Sequence, residues 1–105
     1  MARVALVVST YPNPQVAAEH AHRFVVEGLA ACAQSEQVVS TYLWQGRLEN
    51  QTETRTTFKT RLELVEKLAS AIAQTHPYQT PEILSQFVDA NNVYGAWVAA
   101  ATQSP

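Results

Sequence analysis

A long β-hairpin near the middle of the chain places the strongest constraint on the fold. Residues 38–45 are rich in β-forming side chains, and Gln45-Gly46 has the pattern of a tight turn before a threonine-rich return strand, residues 48–60. A strand of about 12 residues spans ~40 Å, whereas a helix of about 14 residues covers only ~21 Å. The hairpin must therefore bend or extend beyond the rest of its own domain.

A strand and a helix are predicted before the hairpin. Residues 3–10 are rich in valine, which is typical of a buried strand. Asn13 followed by Pro14 suits the cap and the first position of a helix, and Gly28 is a plausible stop.

A second helix and strand follow the hairpin. The apolar stripe of this helix begins near Glu63, and His76-Pro77 ends the helix before a strand at residues 83–89. Residues 94–102 fit a short C-terminal helix. The order βαββαβ predicts an α+β, ferredoxin-like sandwich, in which both helices cover one face of a four-stranded antiparallel sheet and leave the other face bare. The 105 residues form one such domain.

Aromatic side chains at the hairpin tip predict self-association. An overhang that carries Tyr42, Leu43 and Trp44 would expose apolar edge strands unless a further subunit covered them. Tyr42, Trp44 and Trp97 are therefore predicted to pack in a subunit interface.

Composition narrows the function classes. The chain is 47% hydrophobic and 15% charged, which is typical of a globular protein, and its formal charge of -2 without a basic block argues against nucleic acid. The apolar start at residues 4–8 is too short to span a bilayer. A single cysteine gives no internal disulfide, so a cytoplasmic location fits best.

The segment from His76 to Glu82 is the strongest candidate for a site. Pro77 and Pro81 stiffen it, and Tyr78 and Glu82 are displayed from a rigid connector between helix and strand. The plainer interpretation is a stiff loop in which His76 lies near a helix C-terminus. Both interpretations stay open at this stage.

Metal ligation is predicted to be weak. His20 and His22 point about 200° apart on a helix, so they cannot chelate one ion, and surface positions are expected for both. The apolar neighbours of Cys32 predict an inert buried thiol. His76 remains the candidate ligand for a divalent metal such as copper, at a site shared between subunits.

A polar cleft between subunits is the alternative to a metal site. Lys59, Tyr78 and Glu82 are its candidate ligand-binding residues, and Glu53 and Trp44 are candidate wall residues. Glu53 and Lys59 share one face of the return strand, so a simple charge ladder explains them equally well. No glycine-rich phosphate loop is present.

Several segments resemble the CutA divalent-cation tolerance family. The resemblance is carried, in order, by Gly-Leu-Ala-Ala-Cys-Ala at 28–33, Ser-Thr-Tyr-Leu-Trp-Gln-Gly-Arg-Leu-Glu at 40–49, Phe-Lys-Thr at 58–60, His-Pro-Tyr-Gln-Thr-Pro-Glu-Ile at 76–83 and Tyr-Gly-Ala-Trp at 94–97. It implies a ferredoxin-like subunit in an interlocked homotrimer. It also implies a small cytoplasmic protein that is linked to tolerance of copper and other divalent metals, without an established reaction.

Departures from the family pattern weaken the copper inference. Ser9 stands where some members carry a cysteine, and Thr75 stands where some carry the first of two histidines. Gln45 and Arg47 replace the usual glutamate and lysine of the hairpin tip.

Three functions are consistent with the sequence. The first is a trimeric, non-enzymatic module that binds metal or signals in metal homeostasis. The second is a metabolite sensor or an orphan enzyme that uses Lys59, His76, Tyr78 and Glu82 in an intersubunit cleft. The third is a trimeric scaffold for another protein.

Overall fold

The computed structural model describes residues 1–105 and confirms the ferredoxin-like α+β fold. Its elements are β1 (Ala2–Tyr11), α1 (Pro14–Val26), β2 (Cys32–Trp44), β3 (Arg47–Thr60), α2 (Val65–Thr75), β4 (Ile83–Ala90) and α3 (Asn92–Ala101). The sheet has the order β2-β3-β1-β4, and every neighbouring pair is antiparallel. No helix is long and apolar enough to cross a membrane.

The ends of α1 follow the predicted cap residues. The Asn13 Oδ1 accepts a hydrogen bond of 2.9 Å from the Val16 backbone N–H, and Pro14 occupies the first turn. Gly28 has a φ of +74°, a left-handed conformation that favours glycine after a helix. Both predictions for α1 are confirmed.

The main core lies between the sheet and the first two helices. Its buried members are Val7, Phe24, Leu29, Ala30, Phe58, Leu68 and Ile72. The face of β3 that carries Phe58 and alternate threonines turns towards this core. Buried hydroxyls need partners, and Thr60 Oγ1 donates to the Leu29 carbonyl over 2.7 Å. Thr56 Oγ1 pairs with Ser35 Oγ over 2.9 Å.

The sequence predicted that the opposite face of the sheet is bare, and this prediction is wrong because α3 covers part of that face. Val98 of α3 packs with Val4 and Ala31 in a second small core. A side chain at Gly95 would place its Cβ only 2.4 Å from the Ala2 Cβ, so glycine permits this close approach. Arg61 Nε donates to the Thr102 hydroxyl over 2.9 Å and fixes the C-terminal end of the helix.

Two predicted boundaries differ from the structure. β2 begins at Cys32, not at residue 38, because polar residues 35–37 continue the pairing as an exposed edge strand. There the Arg55 guanidinium forms an ion pair of 2.8 Å with Glu36 across the β2–β3 ladder. The second helix has a short 3-10 turn at Leu62–Leu64 where the sequence predicted its start, and α2 follows from Val65.

The predicted overhang of the hairpin is confirmed. The pairing of β1 with β3 ends at Tyr11 and Thr54, whereas β2 and β3 remain paired from Val38–Glu53 to Trp44–Arg47. These seven further pairs, which we call the overhang (residues 38–53), extend by ~20 Å at ~3.3 Å per residue. The molecule is accordingly 45 Å long but only 24 Å and 20 Å across.

The turn at the end of the overhang is the predicted tight one. Gln45 has a φ of +52° and Gly46 a φ of +79°. Two positive φ values in a two-residue loop belong to the hairpin turn whose twist matches that of its strands. The strand pair therefore runs without a break to the tip.

Candidate functional site

The connector (residues 76–82) is tied to the end of β1. Ser9 Oγ donates to the Glu82 carbonyl over 2.7 Å, and His76 Nε2 lies 2.9 Å from the Thr10 carbonyl. Pro77 and Pro81 restrict the backbone between these two points. The predicted stiff connector is thus hydrogen-bonded to β1 at both of its ends.

Both ring nitrogens of His76 have protein partners. Nε2 must donate to the Thr10 carbonyl, which only accepts, and Nδ1 accepts from the Tyr78 backbone N–H over 3.1 Å. The ring also stacks on Tyr11, with centroids 4.8 Å apart. Burial lowers the pKa of His76, although the hydrogen bond to Thr10 and the charge of Glu53 oppose this. The imidazole is therefore neutral, and metal ligation by either nitrogen requires the loss of a hydrogen bond.

His20 lies in the interior, so its predicted surface position is wrong. Its Nδ1 lies 2.7 Å from the Tyr11 hydroxyl and its Nε2 lies 3.1 Å from Thr75 Oγ1. Thr75 donates its own proton to the Ala71 carbonyl over 3.1 Å, so Nε2 of His20 donates and Nδ1 accepts. Burial lowers the pKa of His20 and raises the pKa of Tyr11. His22 is exposed, as predicted.

Tyr78 reaches from the connector to the overhang. Its hydroxyl donates to Glu53 Oε2 over 2.5 Å, and Glu53 is only 6% exposed. Burial, together with the hydrogen bond to this carboxylate, raises the pKa of Tyr78. The phenol keeps its proton and joins the two walls of a cleft.

The cleft between the connector and the overhang has a volume of about 680 Å³. Its hydroxyl-bearing lining residues are Thr10, Ser40, Thr41, Tyr42, Tyr78 and Thr80. Glu53 and Glu82 add carboxylates, and Trp44 adds an indole ring. A cavity of this size falls in the range of small-molecule sites, roughly 300–1,000 Å³.

The structure brings together only part of the predicted ligand-binding set. Tyr78 and Glu82 line the same cleft, but Lys59 of the same chain does not. Lys59 lies six residues beyond Glu53 on β3, a separation of ~20 Å. Its Nζ lies 5.6 Å from the centroid of the Tyr94 ring, beside α3.

The predicted interface aromatics all have exposed ring surface. Tyr42 is 38% exposed, Trp44 is 39% exposed, and Trp97 on α3 is 48% exposed. The single chain contains no interface, so their roles in assembly stay predictions.

Cys32 and His76 do not form a pair. Cys32 was predicted to be buried, but it is only half-buried, because it begins the edge strand β2, opposite Lys59. His76 contacts the far end of β1. No group of three or more His, Cys, Asp or Glu side chains is arranged to hold a metal ion.

Sequence reasoning missed the role of β1 in this region. Ser9 and Tyr11 continue the alternation of Ala5 and Val7 on the buried face, and both are 0% exposed. Polar groups on a buried strand face require hydrogen-bond partners. That signal, available in the sequence, indicates that β1 supplies contacts to the connector and to α1.

Comparison with known proteins gives a match along almost the whole chain. Residues 5–101 match the family described as CutA1 divalent ion tolerance protein. The chain is 35% identical over 103 residues to the human protein named Protein CutA. This alignment covers 96% of the present chain and 58% of the human protein. The chain is 32% identical over 99 residues to the divalent-cation tolerance protein CutA of Pyrococcus horikoshii, with 93% and 97% of the two chains covered. The chain thus spans little more than half the length of its animal relatives.

Solved structures give the same result. The crystal structure of CutA1 from Pyrococcus horikoshii superimposes with a TM-score of 0.92 at 31% identity, over 95% of this chain and 99% of the other. The structure of CutA from Synechococcus elongatus superimposes with a TM-score of 0.93 at 30% identity, over 98% of this chain and 93% of the other. A relative from Archaeoglobus fulgidus is described as a periplasmic divalent cation tolerance protein. It superimposes with a TM-score of 0.91 at 25% identity, over 95% of this chain and 99% of the other.

Proposed function

The chain belongs to the CutA1 divalent ion tolerance family, and from this membership we propose that it acts in divalent-cation tolerance as a homotrimeric binding or signalling module. In this proposal the protein is not an enzyme. The supporting observation is the overhang, which extends from the subunit without a third strand or a helix to cover it.

An overhang of this kind favours assembly on energetic grounds. An isolated two-stranded hairpin is only marginally stable in water. Alternation places Val39, Leu43 and Leu48 on one face of it, and each is 70% or 71% exposed. A neighbouring copy that covers these side chains removes apolar surface from water and supplies the missing support.

The assembly is tested by light scattering at low micromolar concentration. A subunit of 11.6 kDa should elute with three times that mass. A monomer or a dimer under these conditions would remove the central element of the proposal. The biological role is tested in a host that lacks its own family member and is sensitive to copper, where expression of this chain should restore growth.

Copper binds weakly in this proposal, and His76 is the residue that matters. Copper favours nitrogen and sulfur ligands, but each nitrogen of His76 already has a partner, so binding must replace a hydrogen bond. Binding to neutral imidazole should also weaken with acidification. Calorimetric titration of the parent and of His76→Ala, at about pH 7.5 and about pH 5.5, measures both effects. Equal affinity in the two proteins would exclude His76.

A ligand-sensing role of the cleft is the second candidate. The cleft of about 680 Å³ supports it, because Tyr78 and Glu82 lie in its lining as expected for the predicted site. In this version Lys59 reaches the cleft from a neighbouring subunit. Thermal-shift measurements with metals and with small metabolites distinguish the two roles, since a ligand of the folded state raises its melting temperature.

The cytoplasm is the proposed compartment, on the evidence of a single cysteine. The Archaeoglobus relative is described as periplasmic. Cell fractionation of the source organism decides between the two compartments.

A further inference from the structure

We propose that the cleft binds a small organic cation, an aliphatic amine whose primary ammonium group contacts the carboxylate of Glu53. This inference rests on one part of the second proposed function, that the cleft accepts a small ligand. It takes the lining as the single chain forms it, with Lys59 outside the cleft. Beyond that function, it specifies that the ligand is positively charged and belongs to the aliphatic amines. It does not depend on metal binding at His76.

The charge of the lining residues indicates a cation. Glu53 and Glu82 are the ionisable carboxylates of the cleft, and no lysine, arginine or histidine lies in its lining. Arg55, two residues beyond Glu53 on β3, is held by Glu36 through Nε at 3.1 Å and Nη2 at 2.8 Å. A phosphate or carboxylate ligand would therefore meet two like charges and no counter-charge from the same subunit.

Glu53 has one carboxylate oxygen free for a ligand. Its Oε2 accepts the hydrogen bond from Tyr78, whereas Oε1 has no protein partner. The residue as a whole is 94% buried, since only 6% of its surface is exposed, yet no fully buried side-chain oxygen lacks a partner. Oε1 therefore reaches the space of the cleft, where an ammonium N–H can donate to it. A hydrogen bond of this charge-assisted type is about twice as strong as a neutral one.

The remaining wall suits the carbon chain of an amine. Tyr42 and Trp44 lie on the same face of the overhang as Glu53, and both present partly exposed rings to the cleft. Aromatic faces attract ammonium groups and pack against methylene groups. Hydroxyls of Ser40 and Thr80 can accept further N–H groups. The donor set contains oxygen only, so it does not suit copper, which prefers nitrogen and sulfur.

The test is calorimetric titration of the assembled protein with 1,4-diaminobutane. 1,4-Butanediol serves as the neutral analogue, adenosine monophosphate as the anion, tetramethylammonium as the cation without N–H groups, and magnesium and copper chlorides as the inorganic cations. We expect the diamine to bind and to bind less tightly at higher salt, because exposed charge pairs are screened. We expect weaker binding or none for the other five probes.

Two matched variants locate the binding site. Glu53→Gln keeps an oxygen that accepts from Tyr78 but removes the charge, and it should raise the Kd for the diamine at least about tenfold. Glu66→Gln removes a carboxylate from the exposed surface of α2 and should leave the Kd unchanged. Circular dichroism and light scattering of each variant verify that fold and assembly are retained.

Each other outcome contradicts the proposal in a different way. Equal Kd values for the parent and Glu53→Gln would place the amine elsewhere. Tighter binding of the diol would remove the preference for a cation, and tighter binding of adenosine monophosphate would reverse it. Either result would keep the cleft as a ligand site. Tetramethylammonium or a metal ion that binds as tightly as the diamine, and that loses this affinity in Glu53→Gln, would remove the primary ammonium as the recognised group. Absence of binding by every probe would remove this inference, whereas the ligand-sensing role is decided by the thermal-shift measurements with small metabolites.

Discussion

Single hydroxyl and imidazole groups determine how the connector is held. Ser9 and Thr75 stand where the family resemblance led us to expect a cysteine and a histidine in some members, and here both make hydrogen bonds within the subunit. Ser9 holds the Glu82 carbonyl, and Thr75 links His20 to the backbone of α2. The two substitutions that weaken the copper inference therefore have structural roles of their own.

The Tyr78 hydroxyl is predicted to stabilise the fold. Tyr78→Phe leaves Glu53 Oε2, in a residue that is 6% exposed, without its partner. Loss of one partner of a buried polar group costs about 1–3 kcal/mol, and we expect the lower half of that range. Urea denaturation measures the change in the free energy of unfolding. Tyr94→Phe on α3 is the control, and an equal effect in both variants would contradict the assigned role.

Acidification is predicted to destabilise the protein through its interior histidines. Burial lowers the pKa of His20 and of His76 in the folded state. The unfolded chain, with histidine pKa values of about 6.5, then binds protons first as the pH falls. Stability from this source is therefore complete above about pH 6.5 and decreases from there towards the lower folded-state pKa.

Urea denaturation at about pH 7.5 and about pH 5.5 measures this loss. His20→Gln should reduce the difference between the two pH values, because one of the two groups is gone. His22→Gln removes an exposed imidazole from the same helix and should leave the difference as it is in the parent. A parent protein that is equally stable at both pH values would show that the two histidines do not make stability depend on pH in this range.

For single residues, the sequence predicted which side chains the connector presents, but it did not predict which groups lie in contact with one another. The prolines around Tyr78 indicated a stiff connector, and that inference needs only local geometry. The position of His20 depends on Thr75, which lies 55 residues away in the sequence. Lys59 was grouped with Glu53 because alternation places both on one face, but a shared face does not bring two side chains ~20 Å apart into one site.

The hairpin shows that the lengths of the strands alone determine part of the architecture. Two strands of 13 and 14 residues pair beside a first strand of 10, so an overhang follows from the lengths. The start of β2 was missed because polar residues weaken the strand pattern on an edge strand, where one side of the ladder faces solvent. The position of α3 was missed because its sequence is apolar without a clear stripe.

The turn of the hairpin gives a prediction at the element scale. Gly46→Ala places a Cβ on a residue with φ of +79°, which costs about 1–2 kcal/mol although no atom lies within 4 Å of the new group. Gln45→Asn should instead stabilise, since asparagine tolerates the φ of +52° better than glutamine does. Melting temperatures of the assembled variants should therefore change in opposite directions. A shift of the same sign in both would contradict a strained turn.

The assembled molecule depends on the aliphatic face of the overhang. Leu43 pairs directly with Leu48, and both are 71% exposed in the single chain. Leu43→Asp should weaken association by about 2 kcal/mol or more, which is roughly 30-fold or more in the association constant. Sedimentation velocity across a dilution series measures this change.

Asn50→Asp adds the same charge on the same face of the overhang and serves as the control. It replaces a polar residue, so association should change much less than in Leu43→Asp. If the two variants dissociate alike, charge on the overhang, and not loss of apolar contact, controls assembly. If neither dissociates, the interface lies on another surface.

The position of β1 has a consequence for how the chain is made. β1 lies in the middle of the sheet, yet its partners are residues 54–60 of β3 and 83–90 of β4, which leave the ribosome much later. Only β2 and β3 are neighbours in both sequence and space, so the hairpin is the first strand pair that can form. During synthesis, the hairpin with its exposed Leu43 and Leu48 can therefore form before the rest of the sheet that anchors it. Slow, non-local pairing of this kind leaves apolar segments open to aggregation until the last strand is released.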